Sequence, residues 1–85
     1  VGDAAAQTVY ALDKIVASVR ALGGRPEDIV RTRIFLTDAA DCDAVCAVHG
    51  RYFGDIRPTN TTLQIAALIG PDYKVEIEAE AIVGG

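Results

Sequence analysis

Residues 29–36 read IVRTRIFL, and the fold turns on them. β-branched and aromatic side chains dominate, which favours a strand over a helix. Alternation places Val30, Thr32, Ile34 and Leu36 on one face and Ile29, Arg31, Arg33 and Phe35 on the other. The first face is mostly apolar and needs a cover, and the flanking segments can supply one. Upstream, Asp3 can cap a helix running to Leu22, with Val9, Leu12, Ile15, Val16, Val19 and Leu22 recurring at spacings of three or four. Gly23-Gly24 ends it, because glycine accepts the left-handed conformation just past a helix. RPED (25–28) is then a tight connection. Downstream, Asp38 can start a second helix from about Ala39 to Phe53, closed by Gly54.

TTLQIAAL (61–68) reads as a second strand, IGPD (69–72) as a turn and YKVEIEAEAIV (73–83) as a third strand. In the third, Val75, Ile77, Ala79, Ala81 and Val83 face one way, and Lys74, Glu76, Glu78 and Glu80 the other. The order is αβαββ. Strand–helix–strand implies a right-handed parallel crossover, and the last two strands are expected to pair as an antiparallel hairpin. The expected class is therefore α+β, a mixed sheet with both helices on one face. The opposite face would carry Arg31, Arg33, Gln64, Glu76, Glu78 and Glu80 with Ile29 and Phe35. It is too polar for a dry core and suits an oligomer with a wet, partly charged interior.

The 85 residues make one small domain, 1–85, whose core alone is marginal. Hydrophobic residues at 51% exceed what such a core can use, so a partner surface, such as another copy of the chain, is expected. Eight basic residues are scattered among twelve acidic ones, for a net charge of −4, which argues against nucleic acid as a partner. There is no apolar run long enough to span a membrane. No glycine-rich phosphate loop occurs, and no cofactor is expected. No methionine occurs either, so Val1 is not expected to be a translation start. Cys42 and Cys46 are read as reduced thiols of a cytoplasmic protein, because a four-residue helical spacing rarely suits a disulfide.

Three clusters could carry chemistry. Cys42, Cys46 and His49 share one helix face and have zinc-ligand side chains. However, they span roughly 10 Å along the axis, too far to converge on one ion, so packing or pocket lining is the expected role. Glu76, Glu78 and Glu80 form a carboxylate row, which is either solvated and paired with arginine or contains one general acid or base. RPTNTT (57–62) is a turn and strand start that also gathers hydrogen-bonding side chains. Asn60-Thr61-Thr62 matches a glycosylation sequon, which the reduced thiols disfavour.

DIVRTRIFLTDAADCDAVCAVHGRYFG (28–54), RPTNTTLQIAAL (57–68) and KVEIEAEAIV (74–83) together resemble the RidA/YjgF family, also labelled endoribonuclease L-PSP. The likeness spans nearly everything from Asp3 to Val83. It implies a chorismate-mutase-like α+β fold, a homotrimer with a central barrel of sheets, and pockets in the clefts between subunits. It also implies hydrolysis of reactive imines and enamines to ammonia and a keto acid. Carried over, Glu76 matches the glutamate that positions the attacking water. The arginine that holds the substrate carboxylate falls on Asn60. Thr62 falls on a pocket cysteine position, Cys42 and Cys46 on pocket-lining positions of the second helix, and His49 on a common tyrosine. A neutral carboxamide cannot replace a bidentate guanidinium, so standard imino-acid deamination is expected to be weak. The family's N-terminal strands have no counterpart here, so the chain is expected to be the C-terminal part of a subunit. Two readings follow: a hydrolase or deaminase of a reactive imine-like metabolite, or a non-catalytic ligand-binding or regulatory trimer. RNA cleavage, after the older family label, fits poorly with the acidic charge.

Overall fold

The computed structural model describes residues 3–70 and 72–84; Pro71, within the expected IGPD turn, lies outside them. Helix α1 (Ala4–Ala21) is capped by Asp3, whose side chain accepts from the Ala5 and Ala6 amides. A single 3₁₀ turn (Pro26–Asp28) leads into β1 (Ile29–Leu36), and another (Ala39–Asp41) leads into α2 (Cys42–Phe53). Strands β2 (Thr59–Gln64) and β3 (Val75–Ala81) complete the αβαββ order. Gly23 takes φ 92, where a β-carbon would be strained, which is why glycine stands at the end of α1.

The sheet order is β2-β1-β3, with β1 parallel to β2 and antiparallel to β3. The expected β2–β3 hairpin does not form. Pairing with β1 sets Glu80 opposite Arg31 and Glu78 opposite Arg33, whereas β2 offers that face only uncharged residues, Thr59, Thr61 and Leu63. Residues 65–74 carry the chain past the end of β1, tied to it by Ile65 N–H to Leu36 O (2.8 Å) and Thr37 N–H to Lys74 O (3.2 Å). β2 therefore starts two residues earlier than expected and leaves the ladder before Ala66.

The expected faces of Ile29 and Val30 fail for a common reason. The β1–β3 register shifts between Ile29 and Arg31, a β-bulge with Val30 as the extra residue. The bulge reverses the alternation at that point: Ile29 is buried at 2% exposure and Val30 is left 44% exposed. Gln64 pairs with Leu36 and so shares the helix-side face, away from the charged row. Leu22, expected to extend the stripe of α1, is the helix C-cap and lies largely exposed.

Both helices cover the face carrying Thr32, Ile34 and Leu36. Leu12, Val19, Ile29, Val48 and Phe53 form one core cluster, and Ala4, Ile34, Leu36 and Val45 a second. Cys42 packs against the second. Thr8 is fully buried on α1 and satisfies its hydroxyl on Ala4 O at 2.7 Å. The bulge makes a sharp prediction. Ile29→Ala should cost about 2–5 kcal/mol, as for other buried isoleucines, whereas Val30→Ala should change stability by less than about 1 kcal/mol. Urea unfolding midpoints would measure both, and the opposite ordering would mean that strict alternation holds through residue 30.

Candidate functional site

β1 places Thr32 at the centre of the sheet, beneath α2 and beside β2. Its side chain is fully buried, yet it carries a hydroxyl, so its partners must be protein groups. They come from two elements. His49, one turn before the end of α2, brings Nε2 to 2.8 Å from Thr32 Oγ1. Asn60, level with Thr32 in the parallel register, brings Oδ1 to 3.0 Å. Asn60 Nδ2 then donates to Thr62 Oγ1 at 2.9 Å. The Thr62 hydroxyl favours the Cys46 thiolate and so acts to lower the Cys46 pKa. The Cys42 and Cys46 sulfurs lie 3.7 Å apart on adjacent turns of α2.

A polar line thus runs from under α2 to the exposed edge of the sheet. It joins Asn60, Thr62, Cys46 and Cys42 from the sequence-predicted set, together with His49. The geometry separates His49 from the thiols, because its ring turns inward to Thr32 and against the Phe53 ring at 4.8 Å between centroids. Burial holds the His49 pKa below its ordinary value, favouring the neutral ring. Burial also pushes the Cys46 thiol up, helped by its contact with Cys42 and by Asp43, while the Thr62 hydrogen bond acts the other way. Cys46 is therefore mainly a thiol at neutral pH. Arg57, the cation nearest in sequence, is exposed, has φ 58 ahead of Pro58, and forms no ion pair among the described residues.

Glu76 lies elsewhere. Its register partner is Phe35, so it points from the face opposite to Asn60. Of the three glutamates, Glu78 and Glu80 sit 3.6 and 3.3 Å from Arg33 and Arg31, respectively. Glu76 has no ion pair among the described residues and borders a shallow depression with Phe35, Leu68, Ile69 and Glu78. Periodicity could not distinguish the three carboxylates; arginine pairing does. Thr32 was not singled out in the sequence as a site residue. The available signal was a hydroxyl on an otherwise apolar strand face, facing a helix that carries the chain's lone histidine.

Two helices over one face of a mixed three-stranded sheet, with a polar cluster at its edge strand, define an α+β protein of the chorismate-mutase-like class. The profile of the family described as Endoribonuclease L-PSP matches residues 1–83, and the chain belongs to that family, the RidA/YjgF family. It is 40% identical over 83 residues to the 3-aminoacrylate deaminase RutC of Acinetobacter baylyi, covering 98% of this chain and 65% of that one. It is also 40% identical over 81 residues to protein DfrA of Myxococcus xanthus, covering 95% and 61%. The chain thus spans less than two thirds of these curated relatives. Among solved structures, Rv2704 of Mycobacterium tuberculosis, a YjgF/YER057c/UK114 family member, superposes with TM-score 0.94 at 43% identity, covering 98% of this chain and 70% of that one. The Escherichia coli YjgF gene product superposes with TM-score 0.87 at 35% identity, covering 96% and 66%.

The buried His49 gives a pH prediction with a defined sign. Its folded pKa lies below the unfolded value of about 6.5, so the unfolded chain takes up the proton more readily. The associated stability is present above that value and is lost as pH falls through the folded pKa. Melting temperatures should therefore fall more steeply for the wild type than for His49→Gln as pH drops below about 6.5. Parallel curves for the two proteins would place the ring in a water-like setting.

Proposed function

We propose that this protein is a small-molecule hydrolase, a deaminase of a reactive imine or enamine, whose site is completed between copies of the chain in a homotrimer. The observation that carries this reading is the split of the site: Asn60 and Glu76 stand on opposite faces of one sheet. One copy cannot bring them together, but a second copy can present its Glu76 beside the first copy's Asn60 cluster. The apolar and charged outer face, with Phe35, Leu63 and the Arg–Glu pairs, is suited to such packing. Likeness to a protein named as a 3-aminoacrylate deaminase supports the reaction class. In that chemistry an enamine tautomerises to an imine, water adds across the C=N bond, and ammonia leaves as the carbonyl forms. Glu76, free of arginine, is the candidate to orient and deprotonate the water. Asn60, Thr62, Cys46 and Cys42 line the ligand side, and no cofactor is required.

Asn60 narrows the substrate. It offers a hydrogen bond without charge to a carboxylate that an arginine would hold by a charged, bidentate bond worth roughly 1.5–3 kcal/mol. Wild-type turnover of imines derived from simple amino acids, generated in situ by an amino-acid oxidase and followed as ammonia release, should therefore be weak. Asn60→Arg should raise kcat/KM on those imines by about tenfold or more, and adding Glu76→Gln should abolish the gain. Robust wild-type turnover would show that the missing arginine matters little. No gain in a folded Asn60→Arg oligomer would favour the ligand-binding, non-catalytic reading.

A further inference from the structure

The hydrogen bonds around Thr32 can be assigned a direction by counting protons. Thr32 has one hydroxyl proton and two protein partners, and its burial leaves no room for water to supply another. One partner, Asn60 Oδ1, is a carbonyl oxygen that can only accept. The Thr32 proton is thus committed to Asn60. The remaining bond, between Thr32 Oγ1 and His49 Nε2, must take its proton from the imidazole. The neutral ring then carries its one proton on Nε2, with Nδ1 bare. Beyond Asn60 the direction continues: Nδ2 donates to Thr62 Oγ1. From His49 to Thr62 the donors run from under α2 to the edge strand β2.

We infer that His49 and Thr32 are positioning residues that lock the Asn60 carboxamide with its C=O inward and its NH₂ outward, so that Asn60 meets a ligand as a donor. One Nδ2 proton serves Thr62, and the second remains for the ligand. The group it suits is an acceptor oxygen, such as the carbonyl or carboxylate end of a small metabolite. A ligand presenting an ammonium or guanidinium there would face a donor and be rejected. Inverting Asn60 would require the Thr32 proton to turn to His49 and the imidazole proton to move to Nδ1. The three side chains therefore switch together or not at all. The inference rests on the proposed site only in placing a ligand at Asn60; the lock itself is measurable without ligand or turnover.

The test is long-range ¹H–¹⁵N correlation of the histidine ring at a pH where it is neutral, with exchange rates of the Asn60 side-chain amide protons. The wild type should show the Nε2–H tautomer. Thr32→Val, which keeps the shape and removes the hydroxyl, should give mixed tautomers and exchange roughly five- to tenfold faster at Asn60. Thr32→Ser should restore both. Should Thr32→Val fail to fold, His49→Phe keeps a ring against Phe53 while removing the nitrogen, and Asn60 exchange should again quicken. An Nδ1–H tautomer in the wild type would reverse the assigned direction and overturn the inference. So would a wild-type signature that survives Thr32→Val, or Asn60 exchange unchanged in His49→Phe.

Discussion

β1 is hydrogen-bonded along both edges, and the remaining structure is arranged around that constraint. A strand paired on both sides has no free backbone groups to offer, so its specificity lies in which side chains its neighbours align. On the outer face, Arg31 and Arg33 meet Glu80 and Glu78, which brings β3 across to β1 and leaves β2 at the other edge. On the inner face, Ile34 and Leu36 are sealed by both helices, and Thr32 is sealed with them. A buried hydroxyl must be satisfied, so α2 has to present His49 and β2 has to present Asn60 at that level. Strand register and polar cluster therefore depend on each other.

The same register explains why the site proposed here is divided between the two faces of the sheet. Because side chains alternate across a sheet, Asn60 and Glu76 cannot share a face while β2 and β3 both flank β1. The surface ion pairs are half exposed and individually worth little. Their role is to select the partner of β1 and, by occupying Glu78 and Glu80, to leave Glu76 as the unpaired carboxylate. Selection among three chemically identical residues thus arises from two arginines at alternate positions of the central strand.

Much of this was legible from residue patterns. The period-two run at 75–81 and the helical stripe ending at Gly23 placed the elements within a residue or two, and the resemblance pointed to the family. The bulge at Val30 was not legible, because Ile29 and Val30 are equally apolar and alternation favours neither. The antiparallel partner of β3 was also hidden, since a short connection favours a hairpin unless cross-strand charge pairing is weighed as well. At the site, the thiols, Asn60, Thr62 and Glu76 could be singled out by chemistry or likeness. Thr32 could not, since a threonine on a strand face usually only packs. Its importance comes from burial and from the two side chains that converge on it, both of which are tertiary facts.

The central claim is that Asn60 and Glu76 belong to one site only across two copies of the chain. It is most directly tested by cross-linking in a Cys42→Ser, Cys46→Ser background that also carries Asn60→Cys and Glu76→Cys. After treatment of the native protein with a short bismaleimide, covalent dimers and trimers are expected on a denaturing gel, and neither single-cysteine control should give them. Links confined within single chains, or no link in a protein shown to be oligomeric, would contradict the shared site.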